Sequence, residues 1–400
     1  MKKLAIIGRG TAGCLSVAHF LRYTDWEIDW YFDPDTPPQA VGEGADLILP
    51  KLLFHTLEID YEKVNKLLNG YIKLGIKKIN WGKKNTEFIH NFSVGSYSYH
   101  FTATKLQDYI IEVAAKNRRV RIIPEKISFM ENIDASHIMS CAGKPSDFSD
   151  YQVSEYIPVN AVHVTQCYWD NPQFPYTMAI ARPYGWVFGI PLTNRCSIGY
   201  LYNHKINTLE QVKEDVKNIF YDLQIVPSDK TNSFTFNNYY HKSAIGDRIS
   251  YNGNASFFLE PLEATSIAFM DYINRLSYSS WIENQDINTS NIMYHKMITC
   301  IENIIMLHYY AGSKFDTEFW RMAQQKGENN MDVFAQNNDF ATIVSAVPSV
   351  TNHTKHDVRL AIHYGTWGLP SFFENLTGLG IASSLHSKVQ AADAKMQVKP

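Results

Sequence analysis

Six residues near the amino terminus, Gly8-Arg9-Gly10-Thr11-Ala12-Gly13, have the types and spacing to hold a dinucleotide. They follow a short apolar run, Leu4 to Ile7, and precede Cys14, Val17, Ala18 and Leu21, which recur at helical spacing. A strand that feeds a glycine turn and then a helix amino terminus aims backbone N–H groups at a pyrophosphate, and side chains in place of the glycines would block that approach. Asp33 stands twenty residues beyond Gly13, at the end of a second apolar run from Ile28 to Phe32, where a carboxylate accepts hydrogen bonds from a ribose diol. The chain carries one such fingerprint. One tightly held dinucleotide, FAD, is therefore expected, with reducing equivalents arriving from elsewhere.

Other chemistry is sparse. Val41-Gly42-Glu43-Gly44 sets an acid between glycines in a loop, while His353 and His356 read as a surface pair without the acid or cysteine partners a metal needs. No G-x-S-x-G or H-E-x-x-H motif occurs. The five cysteines, Cys14, Cys141, Cys167, Cys196 and Cys300, are widely spaced and include no C-x-x-C pair, which argues against a disulfide framework or a zinc knuckle and for a reducing, cytoplasmic setting.

The elements that must position these residues read as α/β. The first thirty-odd residues form a βαβ unit of a parallel sheet. An apolar segment running to Phe54 suits a helix, Tyr71 to Trp81 suits extended chain, and Thr104-x-x-Gln107 has the form of a capping box ahead of a helical stripe at Leu106, Tyr109, Ile110, Val113 and Ala114. Val120 to Ile123 returns to strand. From Val159 to Tyr202, Pro, Gly and Asn punctuate strand-like text, which predicts a second, antiparallel sheet. Beyond Glu263 the chain turns helical, most clearly at Ile301 to Tyr310, Asp316 to Ala323 and Val358 to Tyr364, with Lys326 to Asn330 as an exposed loop.

The expected organisation is a Rossmann-like FAD-binding domain begun by residues 1–158, an antiparallel substrate-side sheet at 159–245, a return to the first domain at 246–285, and a reduced helical region at 286–400. Four hundred residues with 45% hydrophobic and 19% charged content can bury a substantial core, and a net charge of −3 gives no footprint for nucleic acid. No stretch approaches a membrane span or a signal peptide. With 8 Trp, 24 Tyr and 22 Phe, rings are plentiful for lining a pocket for a flat ligand.

Several blocks together resemble the flavin-dependent halogenases, the group best known for halogenating free tryptophan. They are Gly8 to Gly13, Gly42-Glu43, Ile72-Lys73-Leu74-Gly75-Ile76-Lys77-Lys78-Ile79-Asn80-Trp81, Tyr99-His100-Phe101, Tyr176-Thr177, Gly185 to Leu192, Asn254 to Phe258, Glu260-Pro261-Leu262-Glu263-Ala264-Thr265-Ser266, Leu307-His308-Tyr309 and Asp316 to Trp320. They run in family order over almost the whole chain. The family's W-x-W-x-I-P hallmark reads Trp186-x-Phe188-x-Ile190-Pro191 here, and the usual glycine after the threonine is Ser266. The shorter chain is similar in length and composition to the marine viral, cyanophage-type members, which implies a more open site and ready use of bromide or iodide.

The resemblance implies that reduced FAD and O2 oxidise a halide to hypohalous acid, and that a lysine captures this oxidant and delivers it to an electron-rich aromatic compound. In the alignment that lysine is Lys77, although the adjacent Lys78 would serve as well; Glu263 polarises the captured acid or removes the arenium proton. Thr265 and Ser266 offer backbone N–H groups to the halide, and Trp186, Phe188, Ile190 and Pro191 wall the flavin from the substrate. The implied partners are a small aromatic substrate and a separate flavin reductase, with no nucleic acid, membrane or metal, and with a homo-oligomer left open. Two rival readings are an FAD-dependent aromatic monooxygenase, which would hydroxylate without halide, and a flavin-binding protein without catalysis.

Overall fold

The Leu4 to Ile7 run forms a strand, Lys3–Ile7, whose Leu4, Ala5 and Ile6 are fully buried, as befits a central parallel strand covered on both faces. In the computed structural model, which describes residues 2–37, 43–84, 87–93, 95–357 and 361–397, this strand is the middle of a five-stranded sheet. The order is Ile249–Tyr251, His137–Ser140, Lys3–Ile7, Glu27–Tyr31 and Val120–Ile123, and every neighbouring pair is parallel. The helix Thr11–Tyr23 packs on the helices Ala103–Ala115 and Ser266–Ile282. A polar knot ties these pieces together: Asn274 Oδ1 accepts from Ser16 Oγ at 2.8 Å and from Asn252 Nδ2 at 3.0 Å, all three residues being buried. The expected α/β, Rossmann-like architecture is therefore present.

This first compact unit comprises residues 1–71, 98–154 and 237–298; a second comprises 72–97, 155–236 and 299–400. The division differs from the expected one: the middle stretch of the first unit ends at 154 rather than 158, and its return ends at 298 rather than 285. Residues 72–97 leave the dinucleotide unit, the return begins at 237 rather than 246, and the late helices belong with the antiparallel sheet instead of forming a region of their own.

The second unit is built on a seven-stranded sheet in the order Val226–Thr235, Ala161–Tyr168, Cys196–Tyr202, Gly185–Pro191, Thr177–Arg182, Gly75–Ile79 and Glu87–Asn91. Neighbours are antiparallel except Gly75–Ile79 with Thr177–Arg182, which run parallel. One face buries Met178, Ile180, Val187, Ile198 and Tyr200 against Val212, Val216 and Ile219 of the helix Leu209–Asp222. The other face carries rings and polar groups that meet the helices Ile287–Ala311, Glu318–Phe334 and Leu369–Leu379.

Three local expectations are corrected. Thr104 is not a cap: the helix begins at Ala103 behind Thr102, and Gln107 Nε2 instead donates to Thr11 Oγ1 at 3.0 Å. Lys326 to Asn330 is helix interior rather than loop, because Gly327 lets the backbone at Tyr310 approach so closely that a β-carbon there would lie 2.4 Å from its nitrogen. Of Val358 to Tyr364, residues 358–360 lie outside the described residues, and His363–Tyr364 pairs with Trp367–Gly368 as a short hairpin, not a helix. Among the described residues, no helix is long and apolar enough to cross a membrane.

Candidate active site

The glycine turn of the first unit is shaped by close backbone approach. Gly8 has φ +106°, and a β-carbon on it would lie 2.2 Å from the Cys141 carbonyl oxygen; one on Gly13 would lie 2.0 Å from the Gly8 oxygen. Gly10, by contrast, faces open space. It caps the helix Thr11–Tyr23 without a side-chain bond, and the first turn holds no acid. The opening N–H groups, those of Thr11, Ala12 and Gly13, precede the first ladder bond, from Cys14 N–H to Gly10 O at 3.0 Å, so they remain donors for an anion. Asp33 accepts from the Asp35 N–H at 3.0 Å and from Thr36 Oγ1 at 3.0 Å, with Lys126 Nζ at 3.2 Å. Those contacts, the Asp35 N–H first, hold its carboxyl below the usual carboxylate range and keep it an acceptor. This cradle fits the ADP half of FAD. Glu43 is buried and its carbonyl accepts from the Phe101 N–H at 2.9 Å, while Gly42 lies outside the described residues.

A second anion-compatible turn lies in the same unit. Glu260 N–H donates to Asn238 Oδ1 at 2.9 Å, Ala264 N–H donates to Pro261 O at 3.0 Å, and Ala264 adopts a left-handed φ of 54°. This sharp reversal delivers the chain to Thr265, which caps the seventeen-residue helix Ser266–Ile282 without a side-chain bond and with no acid in its first turn. Glu263 and Thr265 are buried. Glu263 precedes the helix rather than sitting in its first turn, so ordinary helix capping does not account for it.

The lysine segment belongs to the second unit, and the strand register sorts its side chains. Lys77 is opposite Met178, and Lys78 is opposite Ala179, which in turn is opposite Phe188. Cross-strand partners share a face. Lys77 therefore lies on the face that packs the helix Leu209–Asp222, turned away from Trp186 and Phe188, and it is ion-paired at 2.8 Å to the exposed Glu87. The sequence assignment of the capturing amine to Lys77 is thus not supported by its placement.

Of its two lysine neighbours, Lys78 is the alternative weighed from the sequence and Lys73 is the one given no role there. Lys78 is fully buried, with Nζ 2.5 Å from His308 Nε2 and 2.6 Å from Asn375 Oδ1. His308 Nδ1 lies 2.8 Å from the Ile304 carbonyl, which makes Nδ1 the donor and leaves Nε2 to accept from the amine. Lys73 is also fully buried, its Nζ 5.6 Å from the centre of the Phe92 ring, in the short strand Tyr71–Lys73 where the chain passes from the first unit into the second. The one available signal was the position of Lys73 after Tyr71-Ile72 and before Gly75, where a β-carbon would lie 2.4 Å from the His90 oxygen. That tight approach separates the two short strands.

Trp186 is buried and Phe188 half-buried on the sheet face shared with Lys78. The Phe188 ring lies across Gly199, where a β-carbon would come within 2.0 Å of it. Trp186 stands 6.3 Å from Trp81, which meets His308 at 5.6 Å and Trp320 at 5.3 Å edge to face. Ile190 follows on the same face, and Pro191, one residue on, is buried. Among the described residues, no group of three or more His, Cys, Asp or Glu could hold a metal ion.

The chain thus has one unit with a glycine cradle on a parallel sheet and one unit with a ring-bearing antiparallel sheet, and comparison with known proteins shows its family. The tryptophan halogenase family model matches residues 3–128 and 133–392, and the chain belongs to that family. It is 22% identical over 417 residues to tryptophan 7-halogenase RebH of Lentzea aerocolonigenes, covering 80% of this chain and 78% of that one. Its fold matches the tryptophan halogenase of Shewanella frigidimarina with a TM-score of 0.78 at 17% identity, over 100% of this chain and 96% of that one. It also matches BrvH, a flavin-dependent halogenase from Brevundimonas sp. BAL3, with a TM-score of 0.74 at 17% identity, over 100% and 98% of the two chains.

Proposed function

We propose that this protein is a flavin-dependent halogenase that uses reduced FAD, O2 and a halide to halogenate a small, free, electron-rich aromatic compound, with reduced flavin supplied by a separate reductase. The observation that carries the proposal is the presence, within a chain of the halogenase family, of a glycine cradle for FAD, a buried acid next to an anion-compatible helix turn, and buried lysines in the aligned segment. Bound reduced FAD with O2 supplies the oxidising equivalents that turn halide into hypohalous acid. The protein's own part is to hold, exclude water and aim.

Backbone N–H groups of Thr265 and Ser266 hold the halide, a task set by main-chain geometry and compatible with serine in place of the usual glycine. The amine role passes to Lys73. It is fully buried in the aligned segment, whereas Lys77 lies on the Leu209–Asp222 side of the sheet in an ion pair with the exposed Glu87. A buried amine meets oxidant in a dry setting, either as a haloamine or as a hydrogen-bond donor that sharpens the halogen's electrophilicity. Glu263, which is buried, takes the arenium proton or polarises the oxidant. Trp186 and Phe188 form the ring wall that keeps hypohalous acid on course.

The test is turnover of purified protein with FAD, a reductase, NADH, O2 and chloride, bromide or iodide over a panel of phenols and indoles. The proposal expects halide-dependent mass shifts of one halogen for one hydrogen. Addition of one oxygen without halide would instead establish the monooxygenase reading. A flavin-binding protein with no product under any halide would establish the non-catalytic one.

A further inference from the structure

The turn between Gly8 and Gly10 carries an arginine whose surroundings the halogenase reading leaves unexplained. Arg9 lies with its guanidinium carbon 4.7 Å from the centre of the Phe32 ring, a cation over an aromatic face. Phe32 immediately precedes Asp33, so this platform stands at the end of the strand Glu27–Tyr31, where the ribose acceptor is placed. Arg9 Nε is buried without a hydrogen-bond partner. A buried donor of that kind signals an acceptor that arrives from outside the chain. The neighbouring geometry says which acceptor. Gly10 opens onto space, Gly8 and Gly13 are locked against backbone, and the first turn of the helix Thr11–Tyr23 contains no carboxylate to compete for the guanidinium. Lys126 Nζ, a second cation near Asp33, is engaged by it at 3.2 Å.

We infer that Arg9 is a cofactor-specificity residue: pinned on Phe32 beside the ribose acceptor, it donates to the AMP phosphate of the dinucleotide, so that the protein selects FAD over FMN by gripping the AMP part that FMN lacks. The inference rests on the proposed use of FAD. A guanidinium fork held over a ring loses little freedom on meeting a phosphate, which is why arginine rather than lysine suits the position.

The experiment is equilibrium binding of FAD, ADP and FMN to the full-length protein, by flavin fluorescence for the flavins and by calorimetry for ADP, at two salt concentrations. The variants are Arg9→Met, which keeps length and packing without charge, and Arg9→Lys, which keeps charge without the fork. The inference expects Arg9→Met to weaken FAD and ADP by at least about tenfold, the scale of a charge-assisted hydrogen bond, with a shallower salt dependence. FMN binding should be unchanged, and Arg9→Lys should recover part of the loss. Ligand-free melting temperatures matching the parent protein's show that the fold is kept; if Arg9→Met melts early, the Arg9→Lys ratio of FAD to FMN affinity decides. Equal affinities of parent and variants for FAD, or equal losses for FAD and FMN, overturn the inference. Failure of the parent protein to bind FAD at all would instead overturn the halogenase reading.

Discussion

Lys73, Lys77 and Lys78 lie within six residues of one another and meet three different environments, a buried ring, an exposed carboxylate and a buried imidazole with an amide. Residue type and motif position made lysine legible as the chemistry-bearing group of this segment. Which lysine matters depends on strand register and on the break at Gly75, both set by distant strands, and neither can be read from the segment alone. The glycine turn was legible because its glycine spacing and the following helix are contiguous in sequence, even though the Gly8 position is also closed by the distant Cys141 carbonyl. It supports a paired prediction. Gly13→Ala drives a β-carbon into the Gly8 carbonyl and should lower both flavin affinity, by more than tenfold, and the melting temperature. Gly10→Ala meets no protein atom and should cost the fold no more than about 1 kcal/mol, the scale of a changed helix cap, while still weakening FAD. Flavin titration beside thermal melting separates the two, and a Gly10→Ala variant that binds FAD as tightly as the parent would refute the assignment of the open side to the cofactor.

At the level of elements, the parallel βαβ start and the antiparallel run after Val159 were readable from periodicity, yet the helix Leu209–Asp222 was not. Its capping box, Thr208 with Gln211, matches the pattern of Thr104 with Gln107 letter for letter at the key positions, but only the former forms both reciprocal bonds. Tertiary packing made the choice: Gln107 is taken up by Thr11. The same helix supplies Asp215, which receives both arms of Arg182 and, at 2.9 Å, the hydroxyl of Tyr200. Tyr200 Oη in turn accepts from the Tyr184 N–H at 3.2 Å, and the carbonyls of Arg182 and Pro183 accept from Trp320 Nε1 and Thr317 Oγ1, each at 2.7 Å. The hairpin turn just ahead of Trp186 is thus clamped from two sides. Asp215→Ala strands a largely buried guanidinium and should destabilise the protein by roughly 3–5 kcal/mol. Chemical denaturation measures it, and a change below about 1 kcal/mol would show that the clamp is not structural.

For the molecule as a whole, burial of neutral histidines sets a pH response. His137, His163 and His241 all titrate below the ordinary histidine value, desolvation being the main cause in each. A group whose folded pKa is depressed contributes stability that is full above its unfolded value, near 6.5, and is lost as pH falls toward the folded one. The melting temperature should therefore decline as pH is lowered from about 7 to 5, well before the carboxylate range where Asp33 gives up its charge. A flat profile over that window would contradict the buried, neutral state of these rings. The division of the chain into two units was only partly legible, since residues 72–97 cross into the second unit by pairing with strands more than eighty positions away. That crossing carries Lys73. The most direct test of the account compares parent, Lys73→Met and Lys77→Met proteins under FADH2, O2 and bromide, following both brominated substrate and free hypobromous acid caught by a reactive diketone. The account predicts that Lys73→Met still forms trapped oxidant but brominates substrate at least a hundredfold more slowly than the parent, on the order of the loss of one positioned catalytic group, while Lys77→Met keeps parent activity. Loss of bromination in Lys77→Met with full activity in Lys73→Met would contradict it.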